Sequence, residues 1–428
     1  MRRGKPLPIG FRNWGLVKAR VSLPFNFLIL TVGTLILAAA SYAGTENTLH
    51  GFQPSTGYAP TSGVIFDGAG NLYGTAYYGG STACEGVGCG VVFKLTPVGG
   101  GAWTYTEIYT FTGGADGSHP ESSLVFDAAG NLYGATGGEY FRGEFGTVFK
   151  LSPNSDGSWS FILIHAFGGG IDGMEPYSLI IDEAGDLYGT TLRGGASNAG
   201  TAFSLTPTSG GNWKEILLHT FTGCMDGAYP TGLLLDSSGS LYGTTQLGGT
   251  ACYPGGVGGV FKLTTRTGGG WQATVLHRFS GGADGGYPGS LTFNSAGDLY
   301  GVASTGGNIS NCQNYGCGLV FRLTQGSNGG WNESILHKFN GGNGLNPEAI
   351  IFNSSGTLYG TTKSGGSGFG LVFSLNPNGT ENIIYQFGEG SDGGGPVGPL
   401  IFDQAGNLYG GTEQGGPSDS GVVYEVTP

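Results

Sequence analysis

Charged residues are scarce in this 428-residue sequence: Asp, Glu, Lys and Arg supply 11% of positions, against about 25% in ordinary soluble domains. So few helix-favouring charges, beside abundant Gly, Asn, Thr and Tyr, point to short strands and tight turns. Long apolar runs are also rare, and only Leu23–Ala40 reaches membrane-spanning length. No Gly-x-Ser-x-Gly elbow, His-Glu-x-x-His pair or phosphate loop occurs. Cys84-x4-Cys89 lacks the paired CxxC spacing of a zinc site. The 90 glycines have no three-residue period, which excludes collagen. A hydrophobic share of 38% with 12% aromatics excludes a disordered chain.

The N-terminal 43 residues read as an address. Arg2, Arg3, Lys5, Arg12, Lys18 and Arg20 precede the apolar run, and Ser41 and Ala43 stand where a signal peptidase cuts. A retained membrane anchor is the competing reading. Removing residues 1–43 leaves 11 basic against 29 acidic residues, a net charge of −18. Such a chain repels phosphate backbones, so nucleic acid is not an expected partner. The expected product is a single domain over residues 44–428, monomeric, secreted or periplasmic, with no membrane span after cleavage.

The remainder repeats. Leu-Tyr-Gly recurs seven times, with tyrosines at 73, 133, 188, 242, 300, 359 and 409. Each copy lies within a longer phrase: an apolar run ending in Asp or Asn, a turn with Gly, Leu-Tyr-Gly, a Gly-rich stretch, Val-Phe-x-Leu, then an alternating segment ending in Phe. Alternation and aromatic content make these four strands per unit. Seven four-stranded units predict an all-β, seven-bladed β-propeller. The last unit ends after its third strand, and Glu46–Phe52 matches a fourth strand, so the N-terminal segment is expected to close blade 7.

The phrases Asp186–Thr191, Gly194-Gly195 and Thr201–Pro207 resemble the tandem repeat of choice-of-anchor GloVer-containing proteins. The resemblance implies an exported bacterial repeat protein, usually with a C-terminal anchor, and supplies no activity. Nothing follows the seventh unit here, so free secretion or the periplasm is expected over surface anchoring.

Residues repeated in every blade are expected to serve the blade. His50, His165, His219, His277 and His337 share one fourth-strand position with Tyr109 and Tyr385, and read as packing residues with a polar tip. The hairpin Asp and Asn residues read as turn caps. Asp116, Asp172, Asp226, Asp284 and Asp392 recur after the fourth-strand Phe. They are either turn caps or a ring of acids that binds Ca2+, the one cofactor considered. Export favours oxidised cysteines, and loop positions give the pairs Cys84–Cys89, Cys224–Cys252 and Cys312–Cys317 among fifteen connectivities.

Unrepeated residues carry the functional expectation. The loops between strands two and three and between blades share one face, where a rigid scaffold would present variable groups. The residue before the Pro that opens each blade varies among the copies: Ala59, His119, Glu175, Tyr229, Tyr287, Asn346 and Gly395. Blade 2 adds a distinctive loop with Tyr140, Arg142 and Glu144. These groups suit a glycan or protein ligand, which makes a binding or scaffold module the expected function. The alternative is an extracellular hydrolase or lyase with its site at the same mouth. An enzyme would require unrepeated acid and base groups, among His119, Glu121, Glu139, Arg142, Glu144, Glu175 and Arg193, to converge on one pocket. Expression with residues 1–43 intact is expected to release a protein beginning at Gly44, read by N-terminal sequencing. A mature chain that still begins at Met1 would make the segment an anchor instead.

Overall fold

The computed structural model describes residues 44–139, 142–388 and 390–428. The expected signal over 1–43 and the candidate Tyr140 lie outside these residues. Seven four-stranded antiparallel sheets form the blades of a propeller, six of them with their strands in sequence order. Blade 3, for example, runs through Met174–Ile181, Leu187–Arg193, Thr201–Pro207 and Trp213–Thr220. No α-helix occurs among the described residues, and none there could cross a membrane.

Blade 7 takes three strands from the C-terminus, Gly394–Phe402, Leu408–Gln414 and Val422–Thr427, and its fourth from Thr45–Gly51. That fourth strand pairs antiparallel with the third, from Thr45 opposite Thr427 to Gly51 opposite Val422. The two ends of the chain thus share one sheet, as the matching phrases predict.

The repeated phrase has a packing cause. The Phe that ends each fourth strand packs edge-to-face on the third-strand aromatic of the next blade. The pairs are Phe52–Phe93, Phe111–Phe149, Phe167–Phe203, Phe221–Phe261, Phe279–Phe321, Phe339–Phe373 and Phe387–Tyr424. All seven have centroids 5.0–5.2 Å apart and ring planes at 62–67°. The tip of the third-strand ring lies over the Gly of Leu-Tyr-Gly. A Cβ on Gly74 would stand 2.5 Å from the Phe93 ring, well inside van der Waals contact, so only Gly fits. The Tyr of the same phrase packs sideways on the next blade, as Tyr73 does on Phe126 and Trp159.

The hairpin aspartates are turn caps. Asp67 Oδ1 accepts the backbone N–H groups of Ala69 and Asn71 at 2.9 Å, and its Oδ2 accepts the Tyr73 hydroxyl at 3.1 Å. Blades 2, 3 and 7 repeat this set with Asp127, Asp182 and Asp403, and Asn294 and Asn353 supply the turn bonds in blades 5 and 6. The carboxylate joins turn and tyrosine, which holds the ring against the neighbouring blade. All six cysteines are paired, as Cys84–Cys89, Cys224–Cys252 and Cys312–Cys317.

Phe52 is fully buried and carries the seam between the closing strand and blade 1. Phe52→Ala is expected to cost about 3–5 kcal/mol in chemical denaturation. Deleting Glu46–Phe52 is expected to expose the blade 7 edge and cause aggregation. A deletion variant as stable as the parent would refute closure by this strand.

Candidate functional site at the mouth of the central channel

First strands line the axis, since those of neighbouring blades touch. Ile350 N–H donates to Ser290 Oγ of the preceding blade at 3.1 Å, and Gly289 abuts the Glu348 carbonyl. Each first strand opens at a residue in the left-handed region, followed by Pro. The seven are Ala59, His119, Glu175, Tyr229, Tyr287, Asn346 and Gly395, with φ between 52° and 63°. Their N–H groups donate to the preceding blade, as Glu175 does to Phe145 O at 2.9 Å and Tyr229 to Ala199 O at 3.0 Å. The backbone there belongs to the scaffold, and only the side chains vary.

The expected ligand residues are not all presented to a ligand. His119 is 5% exposed and lies under Tyr77, the rings stacked at 4.6 Å. Burial holds its imidazole below the usual histidine range, against the opposing pull of Glu139. Arg142 is exposed but paired with Glu139 at 2.7 Å and Glu85 at 3.2 Å. Glu144 accepts the Ser118 hydroxyl at 3.1 Å. These three brace the blade 1–2 loops. Glu175 meets Arg193 at 3.4 Å, and that guanidinium lies over the Tyr229 ring, whose hydroxyl bonds to Tyr253 at 2.9 Å. Tyr287 is exposed on the rim, and Asn346 is half-buried.

The groups that converge sit two positions further on, after the Pro. Glu121, Tyr177 and Glu348 occupy this place in blades 2, 3 and 6, where the other blades have Thr61, Thr231, Gly289 and Val397. Tyr177 lies within electrostatic reach of Glu121, Glu348 and Glu413. These come from blades 2, 6 and 7, so groups on both sides of the ring share one space about the axis. Tyr177 is 39% exposed, yet desolvation pushes its phenol up to about 12. A ring open to water but enclosed by protein is what a channel wall produces. Tyr77 lies within electrostatic reach of Glu121, and Lys363 Nζ meets Glu413 at 2.7 Å.

Four carboxyls, Glu121, Glu175, Glu348 and Glu413, thus face two cations, Arg193 and Lys363. Burial, with the charge of Glu175 second, pushes Glu121 up to about 7. Burial likewise pushes Glu348 up to about 7, with Lys363 opposing and Glu413 reinforcing. Near neutral pH each is therefore part protonated and can donate as well as accept a hydrogen bond. The place after the Pro varies among the blades, and that variation is the signal the sequence offers.

The five inter-blade aspartates do not ring this mouth. Each caps its own loop after the outermost strand. Asp116 accepts Thr112 N–H at 2.9 Å and Tyr109 OH at 3.0 Å, and Asp392 accepts Gly388 N–H at 2.9 Å and Tyr385 OH at 2.8 Å. Asp172, Asp226 and Asp284 accept Gly168, Thr222 and Ser280 N–H and face His165, His219 and His277. Turn closure holds them at the periphery, one to a loop. Two hollows of about 510 and 410 Å³ open among the hairpins of blades 1–2 and 5–6, on the opposite face. Turn residues and inter-blade aromatics such as Trp159 line them, so they are gaps in the scaffold.

The sequence profile described as the Gloeobacter/Verrucomicrobia repeat matches residues 142–313 and 307–428. No curated protein matches the chain. Among solved structures, a Lactobacillus plantarum protein is 14% identical, covering 76% of this chain and 83% of its own, with a TM-score of 0.50. The extracellular domain of a putative one-component system from B. thetaiotaomicron is also 14% identical with a TM-score of 0.50, covering 88% of this chain and 42% of its own. A putative gluconolactonase is 16% identical, covering 72% of this chain and 87% of its own, at a TM-score of 0.42. At such identities the likeness is one of fold.

The raised carboxyls fix a pH dependence. A glutamate whose folded pKa exceeds its unfolded value of 4.5 holds a proton that the unfolded chain releases between pH 4.5 and about 7. Its stabilisation is complete below that window and is lost as pH rises through it. The melting temperature of wild type relative to a Glu121→Gln/Glu348→Gln double variant is therefore expected to fall from pH 5 to pH 8. A gap that does not change with pH would show that neither carboxyl is desolvated.

Proposed function

The chain belongs to the Gloeobacter/Verrucomicrobia repeat family, and we propose that it works as an exported binding module whose ligand is a glycan held at the channel mouth. The observation that carries this reading is the Tyr177 ring, accessible within the channel and within electrostatic reach of Glu121, Glu348 and Glu413. An aromatic face packs against the C–H face of a sugar while convergent polar groups bond its hydroxyls. Carboxyls that are neutral part of the time suit an uncharged, hydroxyl-rich ligand, because they offer donors and acceptors without imposing full charge. Arg193 over Tyr229, with Tyr253 and exposed Tyr287, extends the same chemistry onto the rim. The seam aromatics and disulfides keep the mouth rigid, which lowers the ordering cost of binding. Three disulfides suit an oxidising compartment, in keeping with an exported protein.

A glycan array followed by titration calorimetry on the hits tests the reading. Tyr177→Ala and Glu121→Gln are each expected to weaken binding at least about tenfold, or about 1.4 kcal/mol. His119→Ala, beneath the surface, is the folding control in circular dichroism. Absence of any glycan hit, or hits untouched by both variants, would reject the site. Release of reducing sugar from a bound oligosaccharide would replace binding by hydrolysis.

A further inference from the structure

At the outer edge of each seam, the fourth-strand His or Tyr of one blade faces a fixed position on the fourth strand of the next. Where that position is aromatic the rings stack: His50 on Tyr105 at 4.2 Å and Tyr109 on Phe161 at 4.6 Å. Elsewhere the seam is polar. At the blade 3–4 seam Ala273 takes the facing position, and His219 closes on its own loop residue, Asp226, at 3.1 Å. At the blade 5–6 seam Asn343 replaces the loop aspartate, and His337 closes on Glu381 at 3.2 Å.

The blade 2–3 seam holds all three groups, and they stand apart. His165 Nε2 is 3.9 Å from Asp172 Oδ2 and 3.9 Å from Glu215 Oε2, too far for hydrogen bonds. His165 Nε2 and Glu215 Oε1 are sealed from solvent and have no hydrogen-bond partner. The three donor atoms lie within 4.8 Å of one another. Two buried polar atoms left unpaired beside two carboxylates that repel each other are costly. Where one of the three groups is replaced, the remaining two come together; with all three present, a gap remains between them.

We propose that His165, Asp172 and Glu215 bind a divalent first-row transition cation, of which Zn2+ is the best match, and that the ion ties blade 2 to blade 3. One imidazole nitrogen and two carboxylate oxygens form a mixed set of the kind that zinc takes, with a position left for water. Zinc donors at about 2.0–2.2 Å lie roughly 3.3 Å apart in a tetrahedral shell, so side-chain torsions must close each His–carboxylate distance by about half an ångström and the carboxylate–carboxylate distance by at most about 1.5 Å. The donors are already oriented. The His165 ring stands edge-on to Phe167 at 4.6 Å, and Asp172 Oδ2 accepts Gly168 N–H at 2.8 Å. Such outer-shell partners hold ligands in place. The ion would satisfy His165 Nε2, reach Glu215 Oε1 as well where that carboxylate binds through both oxygens, and relieve the repulsion across the seam. The blade 4–5 seam, with His277 at 3.9 Å from Asp284 and 3.7 Å from Glu333, has the same composition and serves as the comparison.

Titration calorimetry of the purified, untagged protein with Zn2+ tests this, with Co2+ absorption as a spectroscopic readout of the ligand shell. Saturable binding is expected, weakened at least about tenfold by His165→Ala and by the isosteric Glu215→Gln. His219→Ala is expected to leave it unchanged. Circular dichroism establishes that each variant is folded, and Asp172→Asn replaces any that is not. No saturable uptake of Zn2+, or uptake unchanged in both His165→Ala and Glu215→Gln, would overturn the proposal. Ca2+ bound as tightly as Zn2+ would also overturn it, because a hard cation gains nothing from the imidazole.

Discussion

An edge-to-face contact between two aromatic rings, repeated at each of seven seams, is the interaction on which the rest of this protein depends. One ring ends a fourth strand and the other stands on the third strand of the next blade, so the contact ties sheets that share no backbone ladder. Each pair adds about 0.5–1.5 kcal/mol beyond the area it buries. Its geometry also sets local sequence. The third-strand ring must lie over a residue without a Cβ, which accounts for Gly after Leu-Tyr. The tyrosine then turns sideways to the neighbouring blade, and its hydroxyl is taken up by the hairpin aspartate. The closing seam obeys the same rule with Phe52, although that strand lies almost the whole chain away from its partners in blade 7.

A scaffold determined at its repeated positions leaves others free to vary. On the first strands the residues flanking the Pro vary from blade to blade, yet the backbone before the Pro is held in one conformation by a bond to the preceding blade. The side chain before the Pro meets neighbouring loops, which explains why His119 and Glu175 are occupied with Tyr77 and Arg193. The side chain after the Pro meets the axis. Because axial space is enclosed but wet, a few residues there gain properties that the same residues lack on an open surface: Glu121 and Glu348 retain protons to about pH 7, and Tyr177 is desolvated while still accessible.

The outer edges of the seams show the reverse situation, repeated positions filled by unlike groups. Stacked rings, His–Asp, His–Glu and full His–Asp–Glu sets occupy equivalent places around one ring. The aromatic pair deeper in each seam carries the packing, so the periphery can differ from blade to blade without loss of the fold. The loop aspartate remains a turn cap throughout, since the backbone N–H groups of its own loop require an acceptor whatever lies across the seam.

The sequence by itself determined the strand order, the number of blades, the closing strand and the cysteine pairs, because each follows from a period or from a loop position, and both are local. Turn chemistry at Asp67 and its equivalents was legible for the same reason: donor and acceptor lie within four residues. The functional mouth was legible only as a face. Reading variable residues before the opening Pro and in the blade 2 loop led to His119, Arg142 and Glu144, which tertiary contacts bury or pair, and passed over Tyr177 and Glu348, which share a channel although 171 positions separate them. Only the closed ring brings such residues within electrostatic reach. The same holds at the blade 2–3 seam, where His165 and Glu215 meet because adjacent blades pack side by side. Backbone hydrogen bonding and turn geometry write themselves into a sequence at short range, whereas convergence on an axis or across a seam is a property of the assembled ring.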